Sequence, residues 1–177
     1  MREYEGDNML INSLDAIIDD HARVLILGSM PGVESLMLQQ YYANPRNQFW
    51  PIIYALFGRD VQEDYPERVA FVRQQGIALW DVLGEASREG SLDSSIRHGK
   101  PNDIKSLLSR YPNIVCIGLN GSKAAKDFDR YVKNLLPQGV KIIQLPSTSP
   151  TPGRYVKSHE KKLEAWAALR EYLKPKA

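Results

Sequence analysis

Val24-Leu25-Ile26-Leu27 is apolar at every position and runs directly into Gly28-Ser29-Met30-Pro31-Gly32. A strand without polar alternation has no face to offer to water. It therefore belongs in a parallel sheet covered on both sides. Gly76 to Asp81 reads as a second, short strand, Asn113 to Leu119 as a third, buried one, and Val140 to Leu145 as a fourth. Between them lie segments with helical character. Asn47 to Phe57 carries Phe49, Trp50, Ile53, Tyr54 and Phe57 at helical spacing, and Asp64 to Gln75 is amphipathic. Asn102 to Ser109, Ser122 to Leu136 and Ser158 to Leu173 complete the alternation. The pattern predicts an α/β three-layer sandwich, with a central, mostly parallel sheet of about four strands flanked by helices. No repeat, low-complexity tract or linker divides the chain, so one domain is expected over residues 1–177.

Composition narrows the partners. The formal charge of +2 leaves no broad polycationic surface. Contact with nucleic acid must then come from local clusters and loop amides. The single cysteine, Cys116, sits in the apolar run Ile114 to Ile117 and reads as core packing rather than a reactive thiol. One cysteine makes no internal disulfide, which fits a reducing cytoplasm. No segment approaches the roughly 18 apolar residues of a membrane span, and the charged N-terminus lacks a signal-peptide core. A cytoplasmic, monomeric protein is expected.

In open parallel sheets ligands bind outside the carboxyl ends of the strands. All the predicted strands end in polar or Gly/Pro-rich loops: Gly28 to Gly32, Asp81, Gly118-Leu119-Asn120-Gly121-Ser122, and Pro146 to Arg154. Together they form one candidate site. The first loop has neither the G-x-G-x-x-G spacing of a dinucleotide site nor a Walker A sequence. A nucleophilic Ser29 would place a serine hydrolase on this sheet. No G-x-S-x-G elbow is present, however, and His21, His98 and His159 match no triad spacing. One cysteine and scattered histidines give no ligand pairs at metal spacing. Asp81, Asp93 and Asp103 are the remaining carboxylates for a magnesium ion, and Asp103 fits the first turn of a helix. Neither metal nor cofactor is expected.

Gln40 to Trp50 carries more information. It combines aromatic rings, carboxamides and a guanidinium, a set suited to a flat, neutral, hydrogen-bonding ligand such as a nucleobase. Phe49 and Trp50 fit the core face of a helix. Tyr41 and Tyr42 precede that helix, where a ring can present its face to a base. Asn44 and Asn47 each donate and accept at once. Asn47 reads equally as a helix cap or a catalytic amide. The loop Ser147 to Arg154 offers hydroxyls, backbone amides and one arginine, with Lys157, Lys161 and Lys162 downstream. This suits phosphate contacts and pressing into a DNA groove.

On these residues the chain resembles the uracil-DNA glycosylase superfamily, most closely its hypoxanthine-DNA (DNA-deoxyinosine) glycosylase branch. Gly28-Ser29-Met30-Pro31-Gly32 with Gln40 to Trp50 resembles the branch's first motif, and Leu145 to Pro150 its second. Leu79 to Val82, Gly90 to Ile96 and Pro101-Asn102-Asp103 also look like the branch. The resemblance implies an enzyme of DNA base excision repair that flips out a deaminated base and hydrolyses its glycosidic bond. Hypoxanthine is favoured; a uracil- or mismatch-type glycosylase and a non-catalytic nucleic-acid-binding module are the alternatives. Uracil-excising relatives hold the attacking water with an Asp or Asn at the third position of the first motif. That position is Met30 here, so the resemblance moves the catalytic amide to Asn47, with Asn44 behind it. It further implies that Tyr42 stacks on the base and that Asp81 reads it. Gly28, Ser29, Met30, Pro31 and Asn120 would complete the pocket. Ser147, Thr148, Ser149 and, more weakly, Arg154 would contact DNA.

Overall fold

A computed structural model describes residues 9–88, 96–150 and 157–174. Four parallel strands form the central sheet in the order β3 (Ile77–Asp81), β2 (Val24–Gly28), β6 (Cys116–Asn120), β7 (Lys141–Leu145). Every residue of β2 is buried, as its unbroken apolar run requires. Alternate side chains enter opposite layers. Val24, Ile26, Ile77, Leu79 and Cys116 join one core with α2 (Phe49–Leu56), α3 (Tyr65–Gln74) and α6 (His159–Trp166). Leu25, Leu27, Ala78, Ile117 and Leu119 join the other with α4 (Ile104–Arg110) and α5 (Ser122–Tyr131). The three-layer arrangement is the one expected.

Some elements are not evident from the sequence pattern. β1 (Met9–Asn12), β4 (Leu83–Arg88) and β5 (Arg97–Pro101) form a second, antiparallel sheet in the order β1-β4-β5. A short helix α1 (Val33–Leu38) follows the first loop. The helix expected over Ser122 to Leu136 stops at Tyr131 and tightens into a 3-10 turn, Lys133–Leu135, ahead of Pro137. Beyond α6, a 3-10 turn leads into α7 (Arg170–Leu173). No helix among the described residues is long and apolar enough to cross a membrane. Arg154, Asp93 and the Gly90 to Ser95 stretch lie outside the described residues.

The connections set the site. From β2 the chain passes through α1, α2 and α3 to β3 on one side of β2, and later returns to β6 on its other side. The strand order therefore reverses between β2 and β6 while all four strands stay parallel, and a ligand crevice forms where such a reversal meets the carboxyl ends.

Two buried groups lead to direct tests. Burial pushes the Cys116 thiol up to about 12, against a small opposing effect of Lys141. A thiol reagent at pH 8 should leave the folded protein unlabelled and label one equivalent after denaturation. Lys162 is buried on α6, one turn before Trp166, with no hydrogen bond or ion pair to its ammonium among the described residues. Desolvation holds its pKa below the usual lysine value. The unfolded chain then binds more protons between the lowered pKa and about 10.5, so stability contributed by this group rises with pH across that window. Lys162→Met should raise the melting temperature at pH 7 and remove that rise from a pH series of urea midpoints.

Candidate active site

The carboxyl ends of β2, β3, β6 and β7 open into one cleft of about 380 Å³. Its walls come from the ends of all four strands, Gly28 to Gly32, Asp81, Asn120 and Ser147 to Pro150, together with Tyr41, Tyr42, Asn44 and Asn47.

Gly28 and Asp81 are register partners on β2 and β3. A Cβ at Gly28 would lie 2.6 Å from Asp81 Oδ1 and 3.5 Å from the Tyr42 hydroxyl. The bare glycine is what lets that carboxylate and phenol converge. Asp81 is buried, and the Asn102 amide donates to its backbone carbonyl at 2.8 Å.

Tyr42 has φ +54, a left-handed conformation that a bulky side chain adopts only under constraint from its surroundings. The constraint is visible: its ring stacks on Phe49 at 4.0 Å between centroids, tilted 23°. Tyr41, by contrast, is a core residue. Its hydroxyl donates to the carbonyl of Asp15 at 2.9 Å, its own carbonyl accepts from Trp50 Nε1, and burial pushes its phenol far above the usual range.

The asparagines close local turns. Asn44 Oδ1 accepts from the Arg46 amide at 2.9 Å, and its carbonyl accepts from the Asn47 amide. Asn47 Oδ1 accepts from the Phe49 amide at 2.9 Å, at the first residue of α2. That donor identifies which end of the carboxamide is oxygen. A carbonyl oxygen has a second lone pair, so capping α2 and accepting from a water are compatible. Arg46 stands exposed between these two residues, its guanidinium without a partner among the described residues.

Met30 is buried in the core layer of α4 and α5 while lining the cleft. Ser29 donates to Asp127 Oδ2 at 3.0 Å, and Lys123 holds the other oxygen at 2.9 Å. No histidine lines the cleft, so Ser29 has no base of the triad type. Asp103, weighed as a metal ligand, caps α4 by accepting from the Ser106 amide and hydroxyl, and those bonds lower its pKa.

A family model for the uracil DNA glycosylase superfamily matches residues 16–170. The chain belongs to the uracil DNA glycosylase superfamily. A hypoxanthine DNA glycosylase of Methanosarcina acetivorans is 36% identical over 158 residues, which are 89% of this chain and 98% of that protein. A hypoxanthine DNA glycosylase of Methanosarcina barkeri is 33% identical over 152 residues, 85% of this chain and 92% of the relative. The solution NMR structure of an M. acetivorans protein described as a uracil DNA glycosylase superposes with a TM-score of 0.78 at 33% identity. It covers 93% of this chain and 99% of that one.

Within this superfamily member, several residues support the site without having been singled out as site residues by sequence. Arg88, buried at the end of β4, donates to the Pro31 carbonyl and so braces the first motif from the second sheet. Asp127 looks like half of a surface i, i+4 pair with Lys123, yet it is buried against Ser29. Asn102 holds the turn after Asp81, and its Oδ1 lies 2.4 Å from where a Cβ of Gly84 would be. A buried charged residue at the end of a strand is the signal that points to Arg88 once burial is known.

Proposed function

We propose that this chain is a monofunctional DNA glycosylase that excises a deaminated base, hypoxanthine foremost, and leaves an abasic site without a cofactor. The observation that carries this reading is the convergence of Asn47, Tyr42 and Asp81 on one cleft. They do so in a chain whose curated hypoxanthine-named relatives match it over nearly their full length. The cleft volume of about 380 Å³ is within the range that holds a purine.

The extruded base stacks on the Tyr42 face opposite Phe49, and the Asp81 carboxylate accepts from the lactam N–H of the base. Backbone groups of Ser29 and Met30, with Gly28 and Pro31, line the base edge. Asn47 Oδ1 holds the water. Its oxygen bonds to C1′ as the C1′–N9 bond breaks, the electron pair leaves with the base, and the water's proton ends on the departing purine. Asn44 shapes the turn that presents Asn47. Met30 offers no hydrogen bond to a water, so the water-holding role falls to Asn47.

Duplexes with a single hypoxanthine, xanthine or uracil test this. Alkali-labile abasic sites should form fastest at hypoxanthine. Retained binding with no product from any of the three would establish a binding module instead.

Exposed Ser147 and Arg46 and half-exposed Ser149 grip the DNA backbone, and Arg154, Lys157 and Lys161 follow this loop in sequence and add positive charge. Arg46→Ala should weaken duplex binding about tenfold and reduce the slope of log K against log salt by about one. Fluorescence anisotropy across a salt series reads both quantities.

A further inference from the structure

We infer that Thr148 and Asn120 form a latch that sets the position of Asn47, so that the loop seated on DNA and the water-holding amide move as one unit. The inference rests on the reading of Asn47 given above. Thr148 lies at the centre of the second motif, between Ser147 and Ser149, yet it is only 1% exposed. All of its polar atoms are engaged inside the protein. Its amide donates to Asn120 Oδ1 at 3.0 Å, and its hydroxyl accepts from Asn120 Nδ2 at 3.0 Å. Its carbonyl accepts from the Gln48 amide at 2.9 Å. Buried in this way, Thr148 does not present its hydroxyl to a phosphate as its serine neighbours can.

The Gln48 bond gives the latch its reach. Gln48 is the residue before α2, where backbone N–H groups have no partner within the helix. The next amide, Phe49, is held by Asn47 Oδ1, and the one before it in the latch, Gln48, by Thr148. The peptide that follows Asn47 is thus pinned from the loop, and the side chain of Asn47 is oriented by its neighbour. Asn120 extends the same network to the Tyr42 hydroxyl, 3.3 Å from its Nδ2. The DNA loop follows Tyr42 and Asn47 by about a hundred residues of chain, and Thr148 with Asn120 joins all three.

Thr148 is accordingly a positioning residue. Thr148→Val keeps the shape and both backbone bonds while removing the hydroxyl acceptor. Single-turnover excision of hypoxanthine at saturating enzyme should slow about tenfold, the effect of one hydrogen bond. Affinity for the duplex should change less than twofold. Thr148→Ser, which restores the hydroxyl, should recover the wild-type rate. In an Asn47→Ala background, Thr148→Val should cause no further loss, because the group it positions is gone. Thr148→Ala replaces Thr148→Val if the valine variant does not fold by thermal melt.

A wild-type rate for Thr148→Val overturns the latch, as does equal slowing by Thr148→Ser. So does a further tenfold loss in the Asn47→Ala background, which would mark an effect independent of Asn47. Those results leave the reading of Asn47 standing if Asn47→Ala alone is severely slowed. A wild-type rate for Asn47→Ala overturns that reading, and the latch with it.

Discussion

Asn47→Ala is expected to release hypoxanthine from duplex DNA about 10²- to 10³-fold more slowly than the wild-type enzyme in single turnover. The loss has two physical parts. Removing Oδ1 takes away the acceptor that we propose orients a water toward the sugar. It also removes the cap on the Phe49 amide, which costs about 1 kcal/mol of stability. Asn47→Asp separates them. The carboxylate still accepts from Phe49 and can accept from a water, so the melting temperature should return and the rate should recover in part. Asn44→Ala should be milder than Asn47→Ala, because in the proposed reading Asn44 shapes the turn that presents Asn47 and does not itself hold the water. Rapid-quench assays at saturating enzyme, beside thermal melts, check each of these.

The second large effect is at Gly28. An added Cβ there would sit 2.6 Å from Asp81 Oδ1, far inside contact distance. The nearest obstacle is the end of a side chain, so the carboxylate moves while the paired strands hold. Gly28→Ala should therefore stay folded, at a cost of about 1–3 kcal/mol for overpacking, and lose about 10²-fold in excision rate. Gly118→Ala serves as the comparison. Its Cβ would meet Leu145 Cδ1 at 2.9 Å and Ile26 Cδ1 at 3.1 Å, which are core atoms away from the cleft. It should lose stability by a similar amount and keep its rate per folded molecule. Equal rates for wild type and Gly28→Ala would show that the position of Asp81 does not matter to excision.

The most legible strands are those buried on both faces, because Val24 to Leu27 and Ile114 to Leu119 leave no ambiguity of period; β7 was legible from Ile142, Ile143 and Leu145 although Lys141 and Gln144 are exposed. The second sheet was not legible. β5 reads Arg-His-Gly-Lys-Pro and is largely exposed, and β4 pairs with it through register shifts that erase any alternation. α1 has six residues, too few to show a helical period. The site was legible as a set of loops, because alternating strands and helices imply a parallel sheet and ligands bind outside the carboxyl ends of its strands. Its internal bonding was not. Asn120 and Thr148 lie 28 residues apart in sequence, and no spacing rule pairs them. The sequence reading gave Thr148 the same role as its serine neighbours, since burial alone distinguishes it from Ser147.

One feature of the sheet bears on how the protein behaves when crowded. Ile17 forms an antiparallel bridge to Leu79, with N–H to O=C distances of 2.9 and 2.8 Å, and so occupies part of the outer edge of β3. At the opposite margin, no strand among the described residues pairs with the outer edge of β7. That edge begins at exposed Lys141 and carries exposed Gln144. Of the two margins of the parallel sheet, β7 is where another chain would add a strand, and Lys141 places a desolvation penalty at its entrance. Neutralising Lys141 should lower the concentration at which the protein self-associates, with the repair chemistry untouched.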